Sequence, residues 1–192
     1  MSDKIKITEH EVAKRIEVAS NLGNIMLAKL LENIHKPNWN CHTIFYLSSR
    51  LKDEVKELED SILVNNKSAS TYENIRRECG DVANFTAMIL DHIIQGLDVC
   101  GDSSKTASVL DKCNLVYIFQ KNIEVNLLRN THKGDWSNIP FMFFVEKIKK
   151  LVKSIEIFIN YADNEKVNHS IIDMGVEIGT IVAIIADNAK YN

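Results

Sequence analysis

Four carboxylates carry the most specific chemistry in this sequence. Glu54 and Glu57 stand three apart within "LKDEVKELED" at 51–60, and Glu78 and Asp81 repeat that spacing after 20 intervening residues. Positions three apart on an α-helix project from one face, one turn apart. The intervening stretch is long enough to finish one helix, turn and begin the next, so two antiparallel neighbours would bring the four acids together. Acids that close repel and raise one another's pKa. A hard divalent cation relieves the conflict, and oxygen ligands with no neighbouring His or Cys favour Mg2+, or Mn2+ in its place, over zinc. The same spacing also arises by chance on the solvated face of a helix rich in Glu and Lys.

The elements that must position these acids read as helices. Across 192 residues, 45% hydrophobic content supplies a substantial core, and seven Gly with two Pro leave few breakers. Thr8 followed by Glu11 has the form of a capping box, after which apolar residues from Val12 to Leu31 recur at helical spacing, predicting a helix to about Ile34. A second helix is predicted over about Thr43 to Val64, ended by the polar "NNKSAS" at 65–70, and a third over about Tyr72 to Leu97. In the third, Val82, Phe85, Met88 and Ile89 form an apolar stripe with Glu78 and Asp81 near its edge, where half-buried acids need partners. The fold class is therefore all-α, a helical bundle.

A repeat runs through the chain. "LLENIHKPNW" at 30–39 is echoed by "LLRNTHKGDW" at 127–136, and the same offset of 97 carries "RLKDEVKELEDSI" at 50–62 onto "KIKKLVKSIEIFI" at 147–159. Matching Gly80 to Gly175 needs an offset of 95. Two tandem related helical units follow, 1–97 and 109–192, joined by the Gly- and Ser-rich stretch 98–108. In the second unit Glu54 becomes Leu151, Glu57 becomes Ser154 and Asp81 becomes Val176, while Glu78 is matched only by Asp173. The apolar register survives where the acids do not, so the acids are not what the helix needs for packing.

The arrangement Glu54-x-x-Glu57 with Glu78-x-x-Asp81, set in "LKDEVKELEDSI" and "ECGDVANF", resembles the all-α nucleotide pyrophosphohydrolases, the superfamily of MazG-like proteins, dimeric dUTPases and phosphoribosyl-ATP pyrophosphohydrolase. The upstream HKxxW resembles MazG-like proteins of phage type. That resemblance covers about residues 30 to 91, with a degenerate copy at 127 to 187. It implies Mg2+ held by Glu54, Glu57, Glu78 and Asp81, and hydrolysis of a nucleoside triphosphate between its α and β phosphates. Glu57, with Glu54 beside it, is the acid expected to take the proton of the attacking water. Asn84, one turn beyond Asp81, is expected to hydrogen-bond a sugar or phosphate, and Lys36, Arg50 and Arg77 to offset phosphate charge, against the plainer reading of surface groups. Trp39 is either a base-stacking face or a plug between helices, and its recurrence as Trp136 favours the plug. Lys149, Lys150 and Lys153 give the second unit a basic face that reads either as a solvated surface or as a support for the triphosphate. The other reading of the cleft is a non-catalytic nucleotide-binding or sequestering protein.

Other classes are disfavoured. A formal net charge of −3 gives no global basic field for nucleic acid. Cys41, Cys79, Cys100 and Cys113 form no CxxC pair, and reduced thiols in a cytoplasmic protein are expected. The N-terminus has no signal-peptide pattern, and the apolar run 178–186 is too short to span a bilayer, so no membrane partner is expected. No Gly-rich phosphate loop occurs, and the histidines have no HExxH spacing. The partner implied is a nucleotide, with assembly as a homodimer or an internal pseudo-dimer.

Overall fold

The computed structural model describes residues 8–33, 39–64, 68–96, 108–130, 136–162 and 164–189. Six helices account for nearly all of them: α1 Glu9–Glu32, α2 Ile44–Leu63, α3 Ala69–Gln95, α4 Val109–Arg129, α5 Phe141–Phe158 and α6 Glu165–Asn188. There is no strand among the described residues, and the all-α class holds.

The helix ends follow local chemistry. Thr8 and Glu11 form the predicted capping box of α1, and Ser108 with Asp111 forms another at the start of α4. Thr43 caps α2 by accepting from the Tyr46 N–H. Helix α3 begins three residues earlier than predicted because Ser68, in the stretch read as a polar break, accepts the Thr71 N–H and starts the helix. It ends at Gly96, whose φ of 57° is left-handed and suits glycine. The predicted linker lies outside the described residues apart from Ser108.

Each helix packs on the one that the sequence offset assigns to it: α1 on α4, α2 on α5, α3 on α6. The contacts are reciprocal. Lys52 pairs with Glu156 and Lys149 pairs with Glu59, at 3.5 and 3.0 Å, and the members of one pair stand 97 positions from those of the other. Gly23 faces Gln120, its own counterpart, so closely that a Cβ on Gly23 would lie 2.4 Å from the Gln120 Oε1. Reciprocal pairs together with a position that meets its own equivalent are what packing about an approximate two-fold axis produces. One continuous core results, with α3 and α6 at its centre. By length and composition α6 is apolar enough to cross a membrane, which the run 178–186 alone did not suggest. Yet 61% of its apolar window is buried within the fold, as in a core helix.

The close helix approaches differ in tolerance. A Cβ on Gly179 would stand 2.5 Å from the Phe119 Cζ and 2.9 Å from the Ile123 Cδ1, both buried parts of α4. Gly179→Ala is expected to destabilise by about 1–3 kcal/mol despite the better helix propensity of alanine. Gly23→Ala only displaces a flexible amide and is expected to be near neutral. Paired urea melts compare the two, and equal midpoints would refute the packing at α4–α6.

Candidate metal and ligand cleft

Helix α2 turns Leu47, Leu51, Val55 and Leu58 into the core. Glu54 lies at the edge of that stripe and is drawn in to 5% exposure, whereas Glu57, about 60° further round at 100° per residue, is exposed. On α3, Gly80 lets α1 come close: a Cβ there would lie 2.7 Å from the Ile25 Cγ2 and 3.4 Å from the Lys29 Cγ. That approach lays the Lys29 stem beside the next residue, Asp81, and the two side chains pair at 2.5 Å.

Glu54, Glu78 and Asp81 converge, with one oxygen from each within 4.8 Å of the others. An octahedral Mg2+ at about 2.1 Å from its ligands spaces their oxygens by about 3–4 Å, so the triad is close to a ligand set. The Oε2 of Glu78 is buried without a hydrogen-bond partner. Burial, then the charges of Asp81 and Glu57, push the Glu54 carboxyl up to about 7 against the opposing pull of Arg50. Burial and Asp81 likewise raise Glu78. Burial raises Asp81 too, with Lys29 pulling the other way. The donor set, with its repulsion only partly offset by Lys29 and Arg50, fits a hard divalent cation. Glu57 does not join the close triad but stands near enough to add to the repulsion on all three.

Glu54 and Asp81 open onto a cleft of about 690 Å3, within the usual range for small-molecule sites. Arg50 lines it, bonded to Asp53 and Glu54, with its guanidinium 5.6 Å from the centre of the Phe85 ring. Asn84 also lines it; one N–H of its amide is given to the Met26 carbonyl at 3.1 Å, and its Oδ1 is buried without a hydrogen-bond partner. Asn84 therefore offers an acceptor oxygen, and its second amide N–H remains a donor.

The other expected residues fall differently. Trp39 is 5% exposed and its indole N–H donates to Asp91 at 2.9 Å, so it fills the wall and has no open face for a base. The accessible aromatic surface belongs instead to His42 and Tyr46, stacked with ring centres 4.5 Å apart in the cleft lining. Arg77 is paired with Glu32 and does not line the cleft. Lys36 lies outside the described residues. Lys149 and Lys153 border a separate groove between α2 and α5, and the partner of Lys149 across it is Glu59. Glu59 is correspondingly half-buried.

The sequence reading missed Lys112, a 5% exposed residue of α4 that lines the cleft beside Leu30 and Trp39. Its only signal was the repeat offset, which pairs it with Arg15. At the position related by the repeat, Asp173 and Val176 border a smaller depression of about 390 Å3 with Asn126, Arg129 and Asn130. Compared with known protein families, curated proteins and solved structures, the chain finds no match.

Proposed function

We propose that the protein is a Mg2+-dependent nucleoside triphosphate pyrophosphohydrolase, converting a nucleoside or deoxynucleoside triphosphate and water into a monophosphate and pyrophosphate. Its scaffold is read as a tandem duplication of one three-helix unit, with a single acid-bearing cleft per chain. The convergence of Glu54, Glu78 and Asp81, with a buried oxygen left unpartnered, carries the proposal. These three acids would hold the cation, for which Mn2+ can substitute. When bound, the cation neutralises phosphate charge and lowers the pKa of a water. Glu57 is exposed and outside the triad, which leaves it free to take that water's proton. The Asn84 Oδ1 would accept from a sugar hydroxyl, and His42 with Tyr46 would meet the base. The reciprocal contacts between halves support the duplication, and the wording around the acids resembles the all-α pyrophosphohydrolases.

The test incubates the protein with NTPs and dNTPs, with and without Mg2+, and resolves products by chromatography. Monophosphate and pyrophosphate in equal amounts are expected, lost without metal and reduced in Asp81→Asn and Glu57→Gln. Product that persists in Asp81→Asn or in chelator would remove the acids from the reaction. Tight nucleotide binding without turnover would instead establish a sequestering protein.

A further inference from the structure

The cations around the cleft are not equivalent. Lys29 is taken by Asp81, and Arg50 by Asp53 and Glu54. Lys112, 5% exposed, has no carboxylate and no hydrogen-bond acceptor among the described residues. Its stem is buried, and of the Lys and Arg side chains lining the cleft it is the one with no carboxylate beside it among the described residues.

Its counterpart makes the contrast sharper. Arg15, 97 positions earlier, donates to the Leu127 carbonyl at 3.4 Å and lies 4.5 Å from the centre of the Trp136 ring. Both of its neighbours have equivalents around Lys112, namely Leu30 and Trp39, and all three line the acid cleft. Where Arg15 is tied down, Lys112 faces the cleft with its charge unspent.

We infer that Lys112 is the anion-holding residue of this cleft, taking a phosphate group of the ligand that the metal does not hold. The ligand then reaches from the acids of α2 and α3 to a cation of α4, so the cleft is completed by the half of the chain that has lost its own acids. That the anion is a nucleotide phosphate rests on the pyrophosphohydrolase reading; that Lys112 receives an anion does not.

Inorganic triphosphate, which carries the charge without specifying a base, is the probe. It is titrated calorimetrically into the wild-type chain, Lys112→Met and Lys112→Arg, without metal and with Ca2+ in place of Mg2+. Lys112→Met is expected to weaken binding about 10- to 100-fold, the usual span for losing a charge-assisted hydrogen bond, and Lys112→Arg to recover most of it. Mn2+ binding in the absence of triphosphate, followed by electron paramagnetic resonance, should be the same in all three. Lys112→Gln replaces the methionine variant if that one melts lower than the wild type. Wild-type affinity retained without the lysine, or no triphosphate binding by the wild type, overturns the inference. Should Mn2+ fail to bind while triphosphate binding still needs Lys112, the hydrolase reading falls and the anion site stands.

Discussion

At pH 8 and without metal, Glu54→Gln is expected to be more stable than the wild-type protein while binding divalent cations poorly. Glu54 is buried against Asp81 and Glu57, and its carboxyl holds a proton up to about pH 7. An unfolded Glu loses its proton near pH ~4.3. Stability contributed by the protonated group is therefore complete below that value and is lost as pH rises to about 7, by about 4 kcal/mol at most. Glutamine cannot ionise and escapes the loss, although Arg50 forfeits a partner. A gain of about 1–2 kcal/mol at pH 8 and almost none at pH 4 is the expected outcome, read from urea midpoints. Affinity for Mn2+ should drop by at least the ~10- to 100-fold typical of changes around a metal ligand. A wild-type stability that does not fall between pH 4.5 and 7.5 would contradict the electrostatics assigned to Glu54.

Lys29→Met should act in the opposite direction. Asp81 is mostly buried, with 18% of its side chain exposed, and Lys29 is the one cation that bonds to it among the described residues. Removing one partner of such a pair leaves a charge in a place with little water, at a cost of about 2–4 kcal/mol once the residual exposure is allowed for. A divalent cation at Glu54, Glu78 and Asp81 supplies the missing counter-charge. Saturating Mn2+ should accordingly raise the melting temperature of Lys29→Met by more than it raises that of the wild type. Equal shifts in the two proteins would mean that Asp81 is not a ligand.

The helices were legible because their apolar residues keep a 3.6-residue period, and the caps at Thr8 and Thr43 mark their starts. The start of α3 was not: a serine inside a polar run reads as a break, and only the helix that follows turns Ser68 into a cap. Among the acids, spacing put Glu54 and Glu57 on one face but could not rank them. The difference comes from where the Leu47–Leu51–Leu58 stripe meets α3, a matter of tertiary packing. Asn84 was placed by its position one turn beyond Asp81, yet the carbonyl of Met26 that fixes its amide lies on a different helix. Lys112 sits in the other half of the chain, and no local pattern points from it to Glu54. Its meaning emerges only when α4 is laid against α1.

The reciprocal pairs Lys52–Glu156 and Lys149–Glu59 bear on how such a protein can change. In a dimer of identical chains every substitution is made twice, so an acid lost from one cleft is lost from both. Joined in one chain, the two ends of the interface are equal in form and separate in inheritance. Lys52 and Glu156 can be exchanged for each other without touching Lys149 and Glu59, and Arg15 and Lys112 can take different tasks at related places. On the proposed duplication, reciprocal contacts hold the halves together while one continuous chain leaves each half free to diverge.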